Sequence, residues 1–125
     1  MPTQKSICST LRVVGSLEVL YINATANGAN YGAWFGNADC PEKFEIIDVW
    51  CINNGGAAGA TTITIKNGSD SVTNAIDINV ADKTIVRAGT IDDAYTTVLP
   101  GGTIVATSST GTADADVYVL LMRVG

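Results

Sequence analysis

From residue 61 onward, apolar side chains recur at every second position, in short runs separated by glycine, asparagine and aspartate. TTITIK (61–66) sets Ile63 and Ile65 against Thr62, Thr64 and Lys66, and AIDINV (75–80) sets Ile76, Ile78 and Val80 against Asp77 and Asn79. A period of two is that of a β-strand with one buried face. TIVRAGTI (84–91), GTIVATS (102–108) and DVYVLLMRV (116–124) continue the series. The last run is apolar on both parities, with Val117, Val119 and Leu121 on one face and Tyr118, Leu120, Met122 and Val124 on the other. Such a strand is central in a sandwich, or its outer face meets another subunit. FEIIDVWCI (44–52) has the same character and reads as a strand largely covered on both faces, with Trp50 packed in the core. Asn67-Gly68, Ala81-Asp82-Lys83 and Pro100-Gly101-Gly102 supply the turns.

The first third is less regular. LRVVGSLEVLYIN (11–23) is rich in β-branched residues and broken by Gly15-Ser16, which predicts a strand pair or a bulged strand. ATANGANYGAWFGNADCP (24–41) reads as an irregular segment carrying the aromatic residues Tyr31, Trp34 and Phe35, either a lid over the core or an exposed contact site. NNGGAAGA (53–60) reads as a flexible loop. Residues 1–10 are polar and form an expected N-terminal arm, leaving 11–125 as one domain. No 3.6-residue period is sustained. The expected fold is all-β, an antiparallel β-sandwich of eight or nine strands, with a jelly-roll preferred to an immunoglobulin-like arrangement.

A chain of 125 residues fits one domain with a core of its own. With 46% hydrophobic and 15% charged residues it is not a disordered chain. The net charge is −5 and the seven Lys and Arg residues are scattered, so no basic face tracks phosphates and no direct nucleic-acid partner is expected. Cys8, Cys40 and Cys51 are odd in number and lack CxxC spacing, which argues against a disulfide framework and a zinc site. Cys51 is expected as a small, reduced core residue. No apolar run approaches the ~20 residues that span a bilayer, and the N-terminal segment has no apolar signal core. No membrane partner is expected.

Histidine is absent. That removes the usual triads, His-ligated metals and the commonest general base. There is no GxSxG and no P-loop. Asp70, Asp77, Asp82, Asp92, Asp93, Asp114 and Asp116 read as solvated turn acids; a glycosidase needs two converging carboxyls, and nothing in the spacing selects a pair. No EF-hand loop is present. The expectation is a protein that is not an enzyme, with no catalytic, cofactor-binding or metal residues. An aromatic sugar-binding platform that includes Trp34 is the alternative from another class. Asn23-Ala24-Thr25 and Asn67-Gly68-Ser69 fit glycosylation acceptors but, without an export signal, read as chance matches.

The order of features from residue 41 carries a resemblance. PEKFEIIDVWCINNGG leads through a small-residue loop to ATTITIKNGSDSV; TVLPGGTIVATSSTGTADADV follows the middle strands, and VYVLLMRV closes the chain. In this order the segment resembles the small head-decoration (cement) proteins of tailed bacteriophages. The resemblance implies a jelly-roll or related sandwich on the outer surface of the virion capsid, assembled in the host cytoplasm. It implies clustering as a homotrimer and clamping of major capsid protein subunits. On that reading Pro2, Thr3, Gln4, Lys5, Ser6 and Ile7 form a capsid-docking arm, Tyr118, Leu120 and Met122 a subunit contact, and Tyr31, Trp34 and Phe35 an exposed aromatic loop. A carbohydrate- or receptor-binding module of a viral fibre is the alternative.

Overall fold

The computed structural model describes residues 15–24, 30–34, 43–54, 61–109 and 115–125, residues 30–34 by their main chain only. Residues 2–7, Phe35, Cys8, Cys40 and Asp114 lie outside the described residues. Ten strands and no helix occur among those described. They are β1 (Leu17–Ala24), β2 (Asn30–Trp34), β3 (Phe44–Asn53), β4 (Thr62–Asn67), β5 (Asp70–Ser71), β6 (Ile76–Asp77), β7 (Ile85–Arg87), β8 (Thr97–Val98), β9 (Thr103–Ser108) and β10 (Ala115–Arg123). All pairings are antiparallel. One sheet, here sheet A, runs β1-β10-β3-β7 with β8 also on β3; the other, sheet B, runs β2-β9-β4-β5 with β6 also on β4. The two sheets face each other across one core, which makes the protein a β-sandwich.

The core is built by alternation. Val117, Val119 and Leu121 of β10 point inward with Phe44, Val49 and Cys51 of β3 and Ile22 of β1. Ile63 and Ile65 of β4 meet them from sheet B with Ile76, Ile78, Ile104 and Ala106. Fully burying each such Ile or Val gains about 1.5–3 kcal/mol, and this sum opposes the conformational entropy of ordering the chain. The intervening Thr62, Thr64, Tyr118 and Leu120 are only half-buried, as the period predicts.

Strand β3 departs from expectation. Phe44 and Ile46 point inward, Ile47 is exposed, and Val49 and Cys51 point inward again, while Glu45, Asp48, Trp50 and Ile52 are half-buried on the outer side. The register of β10 on β3 slips here, Leu120 facing Asp48 and Leu121 facing Ile46, so Ile47 is the extra residue of a β-bulge. One inserted residue switches the inward parity, which is why both parities of FEIIDVWCI are apolar. Trp50 consequently lies on the outer face of sheet A, half-buried, and not in the core.

Two further segments differ. Residues 24–41 contain strand β2, which pairs Asn30 to Trp34 with Thr107 to Thr103 of β9. Neighbouring-strand hydrogen bonds form there despite a local sequence of turn formers, a case of tertiary pairing overriding propensity. The run 84–91 yields only the three-residue β7, with Ile85 exposed. The turns follow their chemistry. Leu99-Pro100-Gly101-Gly102 closes with Gly102 N–H donating to the Leu99 carbonyl at 2.8 Å and Gly101 at φ 82°, the position where a proline-led type II turn requires glycine. Asn67 ties the β4–β5 hairpin to the approach of β8 by donating to the Tyr95 and Thr97 carbonyls at 3.0 and 2.6 Å.

Ile65→Ala is expected to cost about 2–5 kcal/mol of unfolding free energy, the range for a large-to-small core change. Val19→Ser on the exposed face should change it by no more than about 0.5 kcal/mol. Denaturant titration of the two variants checks the assignment of inner and outer faces.

Candidate interaction surface

Only one face of sheet A is needed for the core, yet the other is apolar as well. On β1 the outward residues are Leu17, Val19 and Tyr21, which are 63%, 55% and 52% exposed. Their partners on β10 are Met122, Leu120 and Tyr118, half-buried because neighbouring side chains cover them. Trp50 and Ile52 of β3 continue the surface, and Ile85 of β7, 61% exposed, ends it. An exposed aliphatic and aromatic face of this kind is the candidate for a protein contact.

Its centre is a single cross-strand rung. Tyr21 pairs with Tyr118, Tyr118 with Trp50, and Trp50 with Arg87. The ring centroids of Tyr21 and Tyr118 are 5.4 Å apart, and those of Tyr118 and Trp50 are 5.8 Å apart at 15° between planes. Contacts of this kind contribute about 0.5–1.5 kcal/mol beyond burial and fix the rings in place.

Polar groups border the rung at both lateral ends. On the β7 side the Arg87 guanidinium bonds the Asp48 carboxylate and is itself 72% exposed. The two flank a shallow hollow of about 290 Å³ against Trp50 and Ile85. On the β1 side the Tyr21 hydroxyl and the Asn23 amide donate to Asp116 Oδ1 at 2.6 and 3.1 Å. Asn54 also bonds Asp116, and Lys83 Nζ donates to Asn54 Oδ1 at 2.7 Å. Burial alone would raise the Asp116 pKa, but the hydrogen bonds from Tyr21, Asn54 and Asn23 outweigh it and hold the carboxyl below its ordinary value. The same bond to Asp116 raises the Tyr21 phenol, since the carboxylate favours the neutral donor.

The structure places the expected contact residues Tyr118, Leu120 and Met122 together on this face. It adds Val19, Ile85 and Arg87, which the sequence did not single out, together with Tyr21, an aromatic candidate for a sugar platform, and Trp50, expected in the core. The signal was available for β1: Leu17, Val19 and Tyr21 alternate with Leu20 and Ile22, the same double-parity pattern as β10. Tyr31 and Trp34 fall on β2. Asp116 is not a turn acid but a face residue, whereas Asp77 and Asp92 accept turn N–H groups from Asn79 and Ala94. Among the described residues no cluster of three or more Cys, Asp or Glu is placed to hold a metal ion, and no helix is long and apolar enough to cross a membrane. Cys51 is a free thiol buried in the core, and burial pushes its pKa up to about 12. No family model matches this chain, and neither does any curated protein or solved structure.

Two outcomes follow from these groups. Because folding lowers the Asp116 pKa, its contribution is present above the ordinary value of 3.8 and lost as pH falls through the folded value. Tyr21→Phe removes a donor, so NMR titration of the Asp116 carboxyl should show its pKa rising toward 3.8. Iodoacetamide at pH 8 should leave Cys51 unmodified in the folded protein and label it fully in denaturant, read by peptide mass mapping.

Proposed function

We propose that this chain is a structural virion protein, a decoration or cement protein on the outer surface of a tailed-phage head, which stabilises the capsid by bridging major capsid protein subunits. The observation that carries this reading is the outer face of sheet A. A surface of aliphatic and aromatic side chains with a polar border has the anatomy of a protein contact. An adhesive role needs area and not reacting groups. Each contact is modest, and repetition over a particle makes the sum large.

The narrower fold belongs to the same proposal. Strand order β1-β10-β3-β7 opposite β2-β9-β4-β5 supports a jelly-roll. In it β5 and β6 are two stretches of one interrupted strand along β4, and β7 and β8 two stretches along β3. Eight strand positions result. The order of segments from residue 41, similar to that of head-decoration proteins, supplies the phage assignment. Residues 2–7 then serve as the capsid-docking arm, and copies gather on the shell, as a trimer in the arrangement that the resemblance implies. Neither nucleic acid, membrane, metal nor cofactor has a part in this role, and the protein is not an enzyme.

A second reading, a carbohydrate- or receptor-binding module of a viral fibre, draws on the aromatic rung Tyr21–Tyr118–Trp50. The aliphatic residues around the rung weigh against it, because a sugar offers hydroxyls that Leu17, Val19 and Leu120 cannot satisfy.

The deciding experiment adds purified protein to heads that lack it. Saturable binding and greater resistance of the heads to heat and low salt are expected, with both weakened in Leu120→Asp. Heads that gain neither protein nor resistance would refute the role.

A further inference from the structure

The composition of the central rung is asymmetric in a way that selects a partner. Read from β1 to β7 it runs Tyr21, Tyr118, Trp50, Arg87, with Tyr21 at the β1 end bonded to the Asp116 carboxylate of the next rung on β10, and an exposed guanidinium, paired with Asp48, at the β7 end. The same sequence reversed is its own complement. Resting on the proposed assembly role, we propose that the outer face of sheet A is a homotypic contact: it packs on the same face of a second copy about a two-fold axis parallel to the strands.

That operation exchanges β1 with β7 and β10 with β3. Arg87 of each copy then lies over the Tyr21 ring and toward the Asp116 carboxylate of the other, and Tyr118 lies over Trp50. Each pairing is favourable by kind, a guanidinium on an aromatic face beside an anion and ring against ring. Isologous symmetry makes each contact twice. The alternative two-fold in the same plane, perpendicular to the strands through the rung, sets Arg87 against Arg87, each beside an Asp48, and leaves the Tyr21 ring without a guanidinium. The guanidinium-on-ring pairing therefore favours the first axis.

Area agrees with a reversible pair. Three strands of roughly 26 Å and the three-residue β7 of roughly 10 Å, spaced by about 4.8 Å, present roughly 420 Å² per copy. About 850 Å² in total lies under the ~1,000 Å² that a stable specific interface clears, and belongs to the weak, transient class. A pair of this size is weak in dilute solution and fills when copies are concentrated on a surface. Being two-fold, it is distinct from any three-fold cluster and would join neighbouring clusters.

The test is a charge exchange on the full chain, read by sedimentation velocity over a concentration series. Wild type is expected to show a concentration-dependent dimer. Arg87→Glu alone sets carboxylate against carboxylate across the pair, and Asp116→Arg alone sets guanidinium against guanidinium, so each variant should associate at least ten-fold more weakly. An equimolar mixture should regain the dimer, since one contact then joins the two introduced side chains of opposite charge and the other keeps Arg87 against Asp116. Wild type that remains monomeric at its highest soluble concentration overturns the proposal. So does a dimer or trimer that neither substitution weakens, or folded variants whose mixture fails to pair. Saturable binding of an oligosaccharide, lost in Trp50→Ala and without self-association, also overturns it. If circular dichroism shows either charge variant unfolded, Tyr21→Cys with Arg87→Cys, in a background with Cys8→Ser and Cys40→Ser, replaces it. A short bis-maleimide must then link residue 21 to residue 87 across copies, and exclusive 21-to-21 links refute the axis. Head binding without self-association sinks the pairing alone, and self-association without head binding sinks the capsid role alone.

Discussion

Strand β10 carries the constraint on which the remainder depends. It hydrogen-bonds β1 along nearly its whole length on one side and β3 on the other, and its inward residues Val117, Val119 and Leu121 are sealed from water. A central strand has no free main-chain edge, so its stability comes from side chains on two faces. The inner face is committed to sheet B. The outer face has no such partner in the fold, and there the same strand offers Tyr118, Leu120 and Met122. The core and the candidate contact surface are thus two sides of one nine-residue element.

How far the outer face is ordered bears on how it would bind. Tyr21 is held by Asp116, Trp50 is stacked on Tyr118, and Arg87 is paired with Asp48. Side chains already restrained lose less entropy when a partner arrives. A face so built favours an occupant that matches it rung by rung over one that must remould it. The hydrogen bonds at the Asp116 end also keep a carboxylate in place beside an otherwise greasy surface, which limits indiscriminate sticking.

Legibility in the sequence followed the locality of each cause. Ile63 and Ile65 were readable as inward because alternation needs only a few neighbours, and Pro100-Gly101-Gly102 as a turn because φ is fixed residue by residue. The double parity of β10 was readable too. In β3 the side of Trp50 was misread, because a bulge at Ile47 switches the inward parity without leaving a mark in the apolar letters. Strand β2 was hidden for the opposite reason: glycine and asparagine speak for turns, and its partner β9 lies far along the chain. The rung itself could not be read at all, since Tyr21, Tyr118, Trp50 and Arg87 meet only once three registers are known.

The ladder between β1 and β10 has a mechanical meaning. Leu17 faces Met122 at one end and Ala24 faces Ala115 at the other, and Gly15 and Ser16 fasten the entry to β1 onto Arg123 by two main-chain hydrogen bonds of 2.6 and 2.9 Å. Tension applied between residues 15 and 123 would therefore meet the ladder at its end and peel it one bond at a time. Tension along the strand axes from opposite ends would load all eight paired positions together. The sandwich is a fastener that resists sliding far better than peeling, and a load borne by its broad face avoids the direction in which it yields.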